Sequence, residues 1–434
     1  MRPRSLRLLA VLAAAVLLAG ACGGDDDGGG EESGGGNGGG EFAGQTVEVA
    51  AVWTGAEQES FEAVLDAFTE ETGAEVDFTS TGDDIAAVLG TRIEGGDPPD
   101  VAVLPQPGLL QDLAAEGSLQ PIDFASEVVD ENYAEDWREL GSSDGQLYGV
   151  WFKAANKSTF WYDTAKLETA GVEPPETWED LIEVAGTVRD SGAVPIAIGG
   201  GDGWVLTDWF ENVYLRTAGP EMYDQLVAHE IPWTDPSVVT ALERLSELWS
   251  QGDLIAPNSA NMTFPESVTE VFGGDAAMVY EGDFVAGTIA DETDAVVGED
   301  ADFFDFPSVD GSEPMVVGGG DVAVLLTDDE AAKALIEFLA TPEAAEIWAE
   351  RGGFTSPNQN VDLEVYPDDI TRRSAEALTG AETFRFDLSD LVPAQFGGTP
   401  AQGMWKVLQD FLQNPTDVQG TAQALEAAAA PAYR

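Results

Sequence analysis

One histidine and eleven tryptophans, among 434 residues, decide early what chemistry this chain can carry. His229 would have to serve any Ser-His-Asp arrangement, yet its setting, His229-Glu230-Ile231-Pro232-Trp233, resembles no nucleophile-base motif. It reads as a loop or surface residue. No GxxxxGKS/T phosphate loop occurs, so ATP hydrolysis must belong to another polypeptide. The single cysteine, Cys22, leaves no His/Cys cluster for a transition metal and no partner for an intramolecular disulfide. Paired carboxylates can hydrolyse glycosides, but among 81 acidic residues almost any pair can be imagined, and that abundance carries no signal.

The tryptophans are more telling. Trp53 precedes Thr54-Gly55, Trp151 stands two residues before Lys153, Trp204 follows a Gly-rich run from Gly199 to Gly203, and Trp209 adjoins Asp208. An indole face matches the C–H face of a pyranose, while neighbouring polar side chains can hydrogen-bond its hydroxyls. Trp178, Trp249 and Trp348 lie within helical patterns and read as core. Trp53 and Trp204 sit at the ends of predicted strands and read as site residues.

The elements that would hold them alternate regularly. Val47, Val49, Ala51 and Trp53 have strand periodicity, and Phe61, Val64, Leu65 and Phe68 recur at helical spacing up to a stop at Gly73. A strand with Val76 and Phe78, a helix with Ile85, Val88, Leu89 and Ile93, and a strand over Val101 to Leu104 complete β-α-β-α-β. Its crossovers favour a parallel sheet with helices on both faces. Ligands bind such sheets outside the carboxyl ends of the strands, here at Trp53-Thr54-Gly55 and Pro105-Gln106-Pro107. Further on, Thr177 with Asp180 predicts a capped helix ending at Gly192, followed by a strand from Val194 to Ile198. Ala276 to Tyr280 and Val322 to Leu326 are further short apolar runs, and Ala331 to Arg351 predicts one amphipathic helix.

The amino-terminal end is of another kind. Arg2, Arg4 and Arg7 precede an apolar run from Leu8 to Leu18, shorter than the roughly 20 residues of a membrane-spanning helix. Leu18-Ala19-Gly20-Ala21-Cys22 resembles a bacterial lipobox, so a signal peptide over 1–21 and a lipidated Cys22 are expected. Residues 22–43, rich in Gly, Asp and Glu, predict a flexible tether. The remainder suffices for two lobes. Formal charge is −63, from 18 basic and 81 acidic residues, which excludes nucleic acid as a partner. The acids run along the whole chain and read as a solvated surface suited to a saline medium.

Gly95-Gly96-Asp97-Pro98-Pro99-Asp100-Val101, Pro175-Glu176-Thr177-Trp178-Glu179-Asp180-Leu181, Gly274-Asp275-Ala276-Ala277-Met278 and Phe338-Leu339-Ala340-Thr341-Pro342-Glu343-Ala344 resemble, in order and spacing, family 1 extracellular solute-binding proteins of carbohydrate ABC transporters. Pro105-Gln106-Pro107-Gly108, Glu230-Ile231-Pro232, Asp302-Phe303-Phe304 and the run from Thr383 to Leu391 are similar to its alpha-glucoside-binding branch.

The resemblance implies an α/β, two-lobed periplasmic-binding-protein-like fold (type II) with a ligand cleft between lobes joined by three crossings, near Trp151 to Ala154, Phe304 to Pro307 and Gly353 to Pro357. The amino-terminal lobe would hold 44–152 and 306–352, the carboxyl-terminal lobe 153–305 and 353–434. Trp53, Glu57, Asp83, Gln106, Lys153, Trp204, Asp208, Glu281, Asp283, Gly319 and Arg385 fall in or near family cleft segments; Trp405 reads equally as a cleft aromatic or a helix-packing residue. Implied partners are a saccharide such as maltose, trehalose or sucrose, ABC permease subunits with their ATPase, and the membrane through Cys22. A monomer on the outer face of the cytoplasmic membrane, without cofactor, metal or catalysis, is expected. A secreted glycosidase and a receptor for a non-sugar solute such as a peptide are the alternatives.

Overall fold

The β-α-β-α-β unit expected from Val47 to Leu104 is present, and it builds the first of two cores. The computed structural model describes residues 40–434, so the leader and Cys22 lie outside the described residues. In chain order the strands are β1 (Thr46–Ala51), β2 (Glu75–Ser80), β3 (Val101–Leu104), β4 (Ser142–Ser143), β5 (Gln146–Leu147), β6 (Gly149–Asn156), β7 (Thr159–Asp163), β8 (Val194–Ala197), β9 (Ala276–Glu281), β10 (Ala301–Asp305), β11 (Val316–Leu325) and β12 (Phe384–Phe386).

One sheet runs β12-β11-β3-β1-β2, with β6 also paired to β11. Strand β1 is parallel to both β2 and β3, as the crossovers require. The helix Gly55–Thr72 turns Phe61, Val64, Leu65 and Phe68 inward and stops at Gly73, whose left-handed φ of 77° lets its N–H reach Thr69 O. The second sheet runs β10-β7-β9-β8. It packs against the helix Trp178–Ser191, which Thr177 caps by accepting from Asp180 N at 3.1 Å, and against the helix Gly203–Ala218. Each sheet has its own apolar core, the first around Val49, Phe61, Leu104 and Trp348, the second around Phe160, Trp209, Leu245 and Tyr280. Each large side chain buried in them stabilises the fold by about 1.5 to 3 kcal/mol before entropy is charged against it.

The links between lobes differ in part from expectation. Trp151 and Phe152 of β6 lie in the first core and Phe160 of β7 in the second, so the chain passes from one core to the other between them. Phe306 and Val309, however, still pack in the second core; the return comes within β11, where Val317 belongs to the second core and Val322 to the first. Phe354 and Tyr366 remain in the first core, and the helix Asp369–Thr379 bridges the two through Ile370 and Ala375. The predicted helix from Ala331 to Arg351 is two helices, Glu330–Leu339 and Pro342–Ala349. Proline cannot donate the backbone hydrogen bond an unbroken helix needs, and it opens the second helix instead.

Candidate functional site

The carboxyl ends of β1, β2 and β3 point to one edge of the first sheet, and the turns that follow supply one wall of a cavity of about 450 Å³. Trp53 to Glu57, Gly82-Asp83 and Pro105-Gln106 form that wall. Facing it are residues of the second lobe: Asp202 and Trp204 after β8, Phe264, Phe284 after β9, and Trp405. Lys153 of β6, Lys157 just past the end of that strand and Asp321 of β11 close the back.

Two indoles therefore reach the cavity from opposite walls. Trp53 is only 3% exposed; its ring meets Phe61 and Trp348 edge-on at 4.6 and 4.8 Å, and its Nε1 donates to Asp321 Oδ2 at 3.3 Å. Trp204 lies in the first turn of the helix Gly203–Ala218, half-buried, 5.4 Å from Phe264 and 6.0 Å from Phe284. Gly203 is required beside it, since a Cβ there would come within 2.4 Å of Trp405 Cβ. Trp405 thus both packs its helix and borders the cavity.

The charges fall into two groups. Lys153, buried, is paired with Glu57, and its ammonium lies 5.1 Å from the Trp348 ring. Burial works against the ammonium, but Glu57 and Asp321 raise its pKa. Asp321 is itself pushed up to about 6 by burial, with Lys153 opposing. Lys157 reaches Asp208 at 3.2 Å and Asp387. Behind it Asp208, Glu211, Glu281 and Asp387 are fully buried and Asp390 nearly so. Desolvation raises Asp208, Glu211, Glu281 and Asp390, whereas the Lys157 ammonium overcomes burial at Asp387 and holds it low. At the cavity mouth Asp83 is pushed up to about 6 by desolvation and then by Asp202.

Asp208, Glu211 and Asp387 bring carboxylate oxygens within 4.8 Å of one another, an all-oxygen set of the kind hard cations take. Several of their lone pairs are already in use: Glu211 accepts from Leu388 N at 2.7 Å and Ser389 N at 2.9 Å, Asp387 from Ser389 Oγ at 2.8 Å, and Lys157 adds its ammonium, whereas the buried Oδ2 of Asp208 accepts no hydrogen bond.

Of the eleven expected site residues, Trp53, Glu57, Asp83, Gln106, Lys153 and Trp204 border the cavity together. Asp208 and Glu281 lie behind it, in the carboxylate group around Lys157. Asp283 fastens the lobes, its Oδ2 accepting from Thr355 Oγ1 at 2.5 Å and Ser374 Oγ at 3.3 Å. Gly319 sits against the Lys157 stem, where a Cβ would come within 2.8 Å of Cε. Arg385 is outside: its guanidinium grips Asp224, Nε to Oδ1 at 2.6 Å and NH2 to Oδ2 at 2.9 Å. Lys157, Asp321 and Asp390 were not expected in the lining. Lys157 was legible, because Lys153 and Ala155 alternate along β6 and Lys157, one residue past its end, keeps the same spacing; all three border the cavity.

The architecture has relatives. Residues 53–346 match the bacterial extracellular solute-binding protein family. The chain belongs to that family. The osmoprotective compounds-binding protein GgtB of Synechocystis sp. is 36% identical to this solute-binding protein over 380 residues, 84% of this chain and 88% of its own. The alpha-glucosides-binding periplasmic protein AglE of Rhizobium meliloti is 35% identical over 393 residues, 86% of this chain and 84% of its own. Among solved structures, the bacterial solute receptor AcbH, described with an exclusive preference for β-D-galactopyranose, superposes with a TM-score of 0.80 at 22% identity over 90% of this chain and all of its own. RafE in complex with raffinose does so at 0.75 and 17%, over 90% and 100%. The fold is the two-lobed periplasmic-binding-protein type. The family is one of extracellular binding proteins, and among the described residues no helix is long and apolar enough to cross a membrane.

Proposed function

We propose that this solute-binding protein captures an alpha-glucoside between its lobes, outside the cytoplasm, and delivers it unchanged to the permease of an ABC importer. The observation that carries the reading is the pair of indoles, Trp53 and Trp204, facing one cavity from opposite lobes, with Gln106, Glu57 and Asp83 beside them as hydrogen-bond partners for hydroxyls. The 35% identity to the alpha-glucosides-binding AglE points to the same ligand class. Ligand contacts made by both walls favour the closed arrangement over an open one, and that difference in affinity drives closure. The lobes divide near 152–153, within β11, and across the helix Asp369–Thr379. Cys22, carrying lipid, holds a monomer to the outer face of the cytoplasmic membrane, and two acyl chains suffice for stable anchoring.

A thermal-shift screen with maltose, trehalose and sucrose, followed by chromatography of the recovered sugar, tests the reading. A ligand that binds the folded form alone raises the melting temperature by mass action. Stabilisation by one of these sugars, recovered intact, is expected. Cleavage products would make the protein an enzyme, and loss of lipid labelling in Cys22→Ser checks the anchor.

A further inference from the structure

The charges bordering the cleft do not balance. Six acidic side chains line it, Glu57, Asp83, Asp202, Glu292, Asp321 and Asp390, against two cations, Lys153 and Lys157, and the acids outnumber the cations even without Asp390, which desolvation raises well above the ordinary carboxyl range. Both ammoniums are committed to the protein, Lys153 to Glu57 and Lys157 to Asp208 and Asp387. Among the described residues Asp83, Asp202, Glu292 and Asp390 have no Lys, Arg or His within ion-pair distance.

Asp83 and Asp202 stand out within this set. They border the same cavity from opposite lobes, Asp83 after β2 and Asp202 after β8, and the charge on Asp202 adds to the desolvation that raises the Asp83 pKa. Asp202 is fixed in place by accepting from Phe264 N at 2.7 Å. Around them the cavity is lined by the aromatic residues Trp53, Trp204, Phe264 and Phe284, whose ring faces attract cations. A negative charge entering here finds no free cation. A positive one meets carboxylates and aromatic rings.

We propose that the cleft reads ligand charge: it favours a saccharide carrying a protonated amine and rejects one carrying a carboxylate or phosphate, with Asp83 and Asp202 as the residues that set this preference. The proposal rests on the reading of the cavity as a saccharide site and narrows it. A charge a few ångströms from these carboxylates, in a setting between bulk water and protein interior, is worth about tenfold in affinity or more. Added salt reduces the effect at the exposed mouth.

Calorimetric titration of the purified full-length mature protein at pH 7.5 tests it. The probes are trehalose and maltose, and their derivatives with either an amine or a carboxylate at the 6-position of one glucose. The amino derivative should bind at least tenfold more tightly than the matched uronic acid, and the gap should narrow in 1 M salt. It should shrink to about threefold or less in the Asp83→Asn, Asp202→Asn double variant, whose side chains keep their size. Equal binding of the amine and the acid by the parent overturns the charge reading while leaving saccharide binding intact. So does an unchanged gap in a double variant that melts like the parent. Binding by neither sugar nor any derivative overturns the saccharide reading, and this proposal falls with it.

Discussion

Gly353 and Gly287 touch backbone to backbone across the two lobes: a Cβ on Gly353 would lie 2.7 Å from Gly287 Cα and 2.8 Å from Gly287 N. Gly287 belongs to the helix Val285–Glu292, whose Val285 and Ile289 pack in the second core, and Gly353 precedes Phe354 of the first. A side chain on Gly353 has no room here, while a Cβ on Gly287 would already touch Gly353 Cα at 3.4 Å and anything larger would push the two apart, so the contact limits how far the lobes close. Gly287→Leu keeps a good helix former in a helical position while wedging the contact. We expect its affinity for the cognate sugar to fall at least tenfold and its sugar-saturated radius of gyration, from small-angle scattering, to exceed that of the parent. Parental values for both would mean that closure does not bring these glycines together.

The two cavity tryptophans should respond differently to truncation. Trp204 is half-buried and borders open space, so Trp204→Ala should cost about 1 to 3 kcal/mol of sugar binding with the fold intact. Trp53 is also wedged between Phe61 and Trp348, and Trp53→Ala should in addition lose about 3 to 5 kcal/mol of stability through the cavity it leaves. Titration calorimetry and denaturant unfolding separate the two effects. Parental sugar affinity in both variants would move the site elsewhere.

The first lobe was legible because its signals are local. Alternation at Val47, Val49 and Ala51 and the stop at Gly73 need only neighbouring residues, and the connection rules then order the strands. The failures are positions where a distant partner decides. Strand β11 runs through Gly318, Gly319 and Gly320, which local pattern excludes from a strand; each glycine is there because Phe384, Lys157 or the β6 backbone occupies the place of its side chain. The return crossing in β11 went unseen for the same reason. Trp53 and Trp204 were found from strand-end logic, whereas Asp321 and Asp390 are ordinary acids in a sequence full of them, and only folding makes them lining residues.

Arg385 fell among the expected site residues because its flanking segment resembles cleft sequences, yet its bidentate partner is Asp224. Both side chains are partly open to water, 31% and 55% exposed, and such pairs contribute about 0 to 1 kcal/mol. Arg385→Ala should therefore leave sugar affinity within twofold of the parent and shift the melting temperature only slightly. A tenfold loss of affinity would place the guanidinium at the ligand after all.

Glu281 offers a pH test of the buried carboxylates behind the cleft. It is fully buried, its Oε2 accepts from Gly282 N at 3.1 Å, and its Oε1 has no hydrogen-bond partner. Burial, only partly opposed by Lys157, pushes its pKa up from an ordinary 4.5 to about 8. The unfolded chain thus releases this proton near pH 4.5, while the folded chain keeps it until about pH 8. Across that window the folded state holds more protons than the unfolded, so stability falls as pH rises and levels off above it. Glutamine at 281 is neutral at every pH and can donate its amide to the neighbouring carboxylates, which removes this contribution without removing volume. We expect the melting temperature of the parent to decline more steeply between pH 5 and about 8.5 than that of Glu281→Gln, with the variant at least as stable as the parent at the alkaline end. Asp208, Glu211 and Asp390, raised by the same desolvation, continue to titrate, so the variant's profile should flatten in part rather than fully. Parallel profiles for the two proteins would mean that Glu281 is ionised throughout, with Lys157 outweighing burial at this position as it does at Asp387.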